Sequence, residues 1–151
     1  MDKIVVTQSF GARPEVYKQF GLKGHNGTDF RTRFLDSPLG KRYVSACEDG
    51  VVEEVRWDTR GYGVHVRIRH EDKSLSIYGH FTKPYVQKGD KVKAQQIIGL
   101  SGNTGFSSGA HLHFEYRLAP IKSRNGYAGA VDVEKGEGVA FLSTLPKQFF
   151  K

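Results

Sequence analysis

The sequence predicts a mainly β protein of antiparallel strands joined by tight turns, and three observations carry that prediction. Valine, isoleucine and aromatic residues, the aromatics making up 12% of the chain, recur in short runs, and these side chains pack well on a pleated surface. Eighteen glycines punctuate the runs, which favours tight turns over a helix bundle. From Val64 to His70 the pattern alternates, Val64, Val66 and Ile68 against His65, Arg67 and Arg69, the period of a strand with one buried and one wet face.

Taken in order, Val5 and Val6 open a short strand that runs into the turn residues Thr7 to Gly11 and then Arg13-Pro14. Tyr17 to Gly24 reads as loop. Gly24-His25-Asn26-Gly27-Thr28-Asp29-Phe30 follows, too rich in poor helix formers for a helix. A straight strand would hold His25 and Asp29 ~13 Å apart, so Asn26-Gly27 must bend the chain if the two side chains act together. Arg31 to Lys41 is a loop with a proline and a glycine. Strands follow over Arg42 to Cys47, Gly50 to Trp57 and Val64 to His70, with a turn at Asp58 to Gly63. His65 falls on the polar side of its strand, where a solvent-facing ring with no chemical role is expected. Leu75 to His80 is a strand after the Glu71 to Ser74 turn. Lys88 to Val92 is a tight turn, Gln96 to Leu100 a strand, and Gly102 to Tyr116 a turn leading into a strand. Beyond Leu118 the pattern loosens, with a loop at Ser123 to Gly129, before an apolar run at Val139 to Leu142.

Bulk properties bound the function. A chain of 151 residues, 38% hydrophobic and 26% charged, makes one domain, residues 1–151, with a core of its own. The one cysteine, Cys47, cannot form an internal disulfide and sits in an apolar phrase, so it reads as a small buried hydrophobe. No apolar run approaches the ~18 residues of a membrane span, and the N-terminus lacks the pattern of a signal peptide. A net charge of +7 points to an anionic partner: nucleic acid, a membrane surface or an anionic polymer such as a bacterial cell wall. The basic residues are dispersed; the densest group is Lys83, Lys88, Lys91 and Lys93. A nucleic-acid binder would rest on charge alone and explain none of the histidines.

The chemistry-bearing residues are imidazoles and one carboxylate. His111 and His113 stand two apart in a strand, so both rings leave one face while Leu112 and Phe114 leave the other. Such a pair serves equally as a metal ligand with a catalytic partner or as two exposed polar residues. His80 stands where a strand gives way to a loop, a common position for functional groups. His25, Asp29 and one of the His111/His113 pair supply three ligands of the kind zinc takes, leaving two imidazoles for proton transfer and oxyanion binding.

Together these pieces resemble the zinc metalloendopeptidases of the lysostaphin and LytM type, which cut peptide cross-links in bacterial peptidoglycan. The likeness runs through Phe10-Gly11-x-Arg13, Gly24 to Phe30, Gly61-Tyr62-Gly63, Tyr78-Gly79-His80, Lys88-Gly89-Asp90-x-Val92 and Gln96 to Gly99. It closes on Gly102-x-Thr104-Gly105-x-Ser107-x-Gly109-x-His111-Leu112-His113-Phe114-Glu115. The resemblance implies Zn2+ on His25, Asp29 and His113, with His80 and His111 as the catalytic pair. It implies a groove walled by Arg31 to Lys41, Trp57 to Gly63, Thr82 to Gly89 and Gly102 to Ser108, with Tyr62, Trp57 and Asn103 as groove residues. The implied partner is peptidoglycan peptide, met by a monomer outside the cytoplasm or delivered by a phage. Non-catalytic regulators and wall-binding modules share the fold but lose ligands or catalytic histidines, whereas all five positions are filled here. Ile121 to Glu137 departs from the family's short ending.

Overall fold

A computed structural model of the protein describes residues 5–33 and 39–136. The apolar run Val139 to Leu142 lies outside the described residues. The strands are β1 Val6–Gln8, β2 Thr28–Arg31, β3 Tyr43–Ser45, β4 Gly50–Trp57, β5 Val64–Arg69, β6 Leu75–Gly79, β7 Phe81–Pro84, β8 Lys91–Val92, β9 Ile97–Ser101 and β10 His111–Arg117. One short helix, α1 Pro14–Tyr17, runs into a 3-10 turn at Lys18–Phe20. Two antiparallel sheets result, seven strands in the order β1-β2-β10-β6-β5-β4-β8 and three in the order β3-β9-β7.

Their inner faces share one core. The larger sheet contributes Phe30, Val52, Val66, Ile68, Tyr78, Leu112 and Phe114, and the smaller adds Val44, Phe81 and Ile98. Leu112 pairs across from Phe30, and Phe114 from Tyr78 and Thr28, so the apolar half of the HLHF alternation is what fixes β10 to both neighbours. That register decides the other face. His113 stands directly opposite Asp29 on β2 and opposite Gly79 on β6, one residue short of His80. A strand read as two imidazoles on one face is thus placed inside the sheet, between the carboxylate strand and the strand that delivers the third imidazole.

Two expectations need correction. Tyr17 to Gly24 is not all loop: Pro14 at the helix start supplies the fixed φ a first turn needs, and α1 with its 3-10 turn spans residues 14–20. Neither piece buries a residue, which is why no amphipathic pattern marks it. His65 is not solvent-facing; it is 1% exposed. The 58–63 turn folds back over the outer face of β5, and the Tyr62 ring covers it at 5.1 Å between centroids. Within that cover, His65 Nδ1–H donates to the Gly63 carbonyl at 3.0 Å and Arg67 Nε–H donates to His65 Nε2 at 3.3 Å. Burial holds its pKa below the ordinary value, in keeping with a neutral ring saturated by structural bonds.

Candidate metal centre and its cleft

His25 reaches the site from a buried loop ahead of β2. The chain does bend at Asn26-Gly27: His25 Nε2 lies 3.2 Å from Asp29 Oδ1, a distance no straight strand would allow. Gly27 is required by what lies beside it, because a Cβ there would stand 2.5 Å from Cε1 and 2.7 Å from Nε2 of His113. His25 Nδ1–H donates to the Ser9 carbonyl at 3.2 Å, and His113 Nε2–H donates to the Glu115 carboxylate at 2.9 Å. With those protons committed, His25 Nε2 and His113 Nδ1 turn their lone pairs toward each other at 3.0 Å, and His113 Nδ1 lies 3.0 Å from Asp29 Oδ1.

Three electron-rich atoms converging in this way repel one another unless a cation lies among them. Separations of 3.0–3.2 Å match the edge of a zinc tetrahedron, about 3.3 Å for bonds of about 2.0 Å. Among the described residues this His25–Asp29–His113 group has donor atoms within 4.8 Å of one another and is buried. The electrostatics agree. A proton on His113 Nδ1 can take that cation's place: burial pulls the His113 pKa down, but the hydrogen bonds that the protonated ring makes to Asp29 and Glu115 more than reverse this and lift it to about 9. Burial likewise raises Asp29, and hydrogen bonds from His113 and His25 outweigh it, holding the carboxyl far below its usual range. The pocket is built for positive charge, and the residues present fit a zinc ion.

The other two imidazoles stand beside the triangle. His80 and His111 have ring centroids 4.6 Å apart, and His80 lies 5.8 Å from His113. His80 adopts φ 64°, a left-handed backbone that non-glycine residues take at a cost of about 1 kcal/mol or more and that recurs at functional sites. Its Nδ1–H donates to the Thr104 carbonyl at 2.5 Å, which leaves the Nε2 lone pair free. His111 is held in the same tautomer by Nδ1–H donation to Gly109 O at 2.7 Å, and its Nε2 lies 3.4 Å from Asp29 Oδ2. Burial first, then the neighbouring His113 and His111, pulls the His80 pKa down to about 3.

These groups open into a cleft of about 730 Å³. One wall is α1 and its 3-10 turn, with Val16, Tyr17 and Phe20; the facing wall is Phe106 to Ser108; Gly61, Tyr62 and Ala128 are among the other lining residues. Tyr62 lines the cleft as expected. Trp57, 64% exposed, and Asn103 do not: Trp57 ends β4 opposite Val64, and Asn103 is exposed, accepting a hydrogen bond from Ser107. Thr82 to Gly89 is not a wall either, because β7 takes up its first residues and pairs with β9 in the smaller sheet. Residues 34–38 of the expected Arg31 to Lys41 wall lie outside the described residues. The α1 wall carried no sequence signal. Glu115 did carry one, standing in step with His111, His113 and Arg117 along β10, all on one face.

An antiparallel sheet with an open cleft over a His–Asp–His triangle is the plan of a zinc metallopeptidase domain. Residues 23–126 match peptidase family M23. Peptidoglycan DD-endopeptidase ShyA of Vibrio cholerae is 44% identical over 122 residues, 79% of this chain and 27% of ShyA. The catalytic domain of the antimicrobial peptidase lysostaphin from Staphylococcus simulans superposes with a TM-score of 0.69 at 29% identity, over 93% of this chain and 92% of that one. A zinc-containing peptidase from Vibrio cholerae gives a TM-score of 0.63 at 31% identity, over 85% and 35% of the two chains. The chain belongs to peptidase family M23. It spans between a fifth and a third of the length of the curated relatives it matches.

Proposed function

We propose that this domain is a zinc endopeptidase that hydrolyses peptide cross-links of bacterial peptidoglycan. The observation that carries the reading is the convergence of His25 Nε2, Asp29 Oδ1 and His113 Nδ1 at the base of an open cleft, with two further imidazoles at hand. Held by those atoms, zinc supplies Lewis acidity that polarises an amide carbonyl and the attacking water. His80 and His111 do the proton work. Each neutral ring has its Nδ1–H tied to a backbone carbonyl, so each offers an Nε2 lone pair. One accepts the proton of the attacking water, and the N–H so formed can hydrogen-bond the developing oxyanion and then protonate the leaving amine.

The substrate class rests on kinship and charge. ShyA is named a peptidoglycan endopeptidase, and a chain of net charge +7 is drawn to an anionic wall polymer. Among the described residues no helix is long and apolar enough to cross a membrane, and the site is complete within one chain, as a monomer working on the wall requires.

The test is metal content beside hydrolysis. Purified protein is expected to carry one zinc and to clear a suspension of peptidoglycan. His80→Ala and His111→Ala are expected to keep the zinc and lose about 10²- to 10⁴-fold in rate. Protein that holds zinc but clears no wall, whatever its chemotype, would instead be a binding module, and variants that retain full rate would remove those histidines from the mechanism. Mass spectrometry of the released fragments distinguishes stem-peptide from glycine-bridge cleavage.

A further inference from the structure

We infer that Tyr62 and Arg117 are positioning residues that act on the metal ligand His113 through the buried carboxylate of Glu115. The inference rests on the assignment of His113 as a ligand and extends it outward. Glu115 is 0% exposed, and a buried carboxylate persists only when its oxygens are satisfied. His113 Nε2–H donates to Oε2 at 2.9 Å, while Arg117 donates to Oε1 from Nη2 at 3.1 Å and from Nε at 3.2 Å. Arg117 Nη2 also donates to the Tyr62 hydroxyl at 3.2 Å, which ties that hydroxyl to the guanidinium holding the carboxylate.

Tyr62 is tied into this arrangement. Its oxygen accepts from Asn26 Nδ2 at 3.1 Å and from Arg117 Nη2 at 3.2 Å. A phenol oxygen has two lone pairs, and these two donors engage both, while the ring lines the cleft. The backbone of the same residue holds the other side of the site, since His80 N–H donates to the Tyr62 carbonyl at 2.8 Å. One residue of the 58–63 turn therefore touches the proposed catalytic imidazole and, through Arg117 and Glu115, reaches the ligand.

The consequence is chemical as well as steric. A carboxylate on Nε2–H fixes the His113 tautomer with Nδ1 unprotonated toward His25 and Asp29, and makes that nitrogen a stronger donor. Arg117 cancels the charge that would otherwise be stranded in the sheet. Removing the Tyr62 hydroxyl loosens Arg117, through it the carboxylate, and thereby the ligand, without touching the metal.

Zinc affinity, measured on the whole chain by competition with a chromophoric chelator, tests this, together with the d–d spectrum of the cobalt(II)-substituted protein. Glu115→Gln is expected to bind zinc about 10- to 100-fold more weakly. Tyr62→Phe is expected to lose roughly two- to tenfold, with a shifted cobalt spectrum. Because both act through one carboxylate, Tyr62→Phe is expected to add nothing in the Glu115→Gln background. Unchanged affinity and spectrum in both variants, or fully additive losses, would overturn the inference. If Glu115→Gln does not fold, the cobalt spectrum of Tyr62→Phe decides alone. His113→Ala separates the two layers: if it holds zinc as well as the parent the ligand assignment fails, whereas its loss of zinc beside a fully binding Tyr62→Phe and Glu115→Gln overturns only the positioning role.

Discussion

Gly27 shows how tightly single residues are specified around the proposed metal site. Its missing side chain leaves the space that the His113 ring occupies, with Cε1 only 2.5 Å and the Phe114 carbonyl oxygen 2.7 Å from where a Cβ would stand. Backbone cannot give way cheaply, so Gly27→Ala must tilt His113 or lift the 25–27 bend, and either motion opens the donor triangle. We expect Gly27→Ala to weaken zinc at least about tenfold and to cost about 1–3 kcal/mol of stability; chelator competition and urea titration read the two effects separately. Parent-like affinity would mean that the ring repacks freely. His65 illustrates the opposite case. Alternation correctly put it on the outer face of β5, but the cover that buries it comes from Tyr62, on a turn whose path no local periodicity encodes.

At the scale of elements, β10 organises the rest. Its outward face carries His111, His113, Glu115 and Arg117, and its inward face carries Leu112, Phe114 and Tyr116, so chemistry and packing share a single seven-residue strand. Leu112 is fully buried opposite Phe30 of β2, the strand that bears Asp29. Leu112→Ala is therefore expected to cost about 2–5 kcal/mol, read as a lower urea midpoint with an unchanged m-value, and to loosen the β2–β10 register beneath the ligands. A loss well under 1 kcal/mol would show that the apolar face of β10 does not anchor the site. Strands of this kind were legible: β4 has the bounds the pattern gave, Gly50 to Trp57, and β5 and β6 differ by one residue at their ends. What was illegible is α1, with no buried residue to impose a period, and β7, where Phe81–Pro84 joins the smaller sheet through pairing with β9. The Thr82 to Gly89 wall that the resemblance implied failed for the same reason. Which strand a segment meets is a long-range fact, and turn chemistry reports only that the chain reverses.

Across the whole molecule, His25, Asp29 and His113 were legible from residue type and family spacing, because those spacings survive any change in the intervening loops. Their support was less so: Glu115 shows its step along β10 in the sequence, but Tyr62 and Asn26 join it only once three separated segments have folded together. The same separation would give a metal held there a role in stability. An ion on these three residues would join a loop ahead of β2, β2 itself and β10, segments up to 88 residues apart in the chain, and an ion bound only by the folded state stabilises that state by mass action. At a free zinc concentration about 100 times Kd the gain is about 2.7 kcal/mol, which for a chain of this size shifts Tm by roughly 5–10 °C. Calorimetry with stoichiometric zinc and with excess chelator is expected to show that difference in the parent and in His80→Ala. In His113→Ala the two melting curves should coincide, since the triangle is gone while the core contacts of Leu112 and Phe114 remain. A chelator-sensitive melt in His113→Ala would place the stabilising ion elsewhere, and an insensitive melt in the parent would mean that the three segments are held together by the sheet alone.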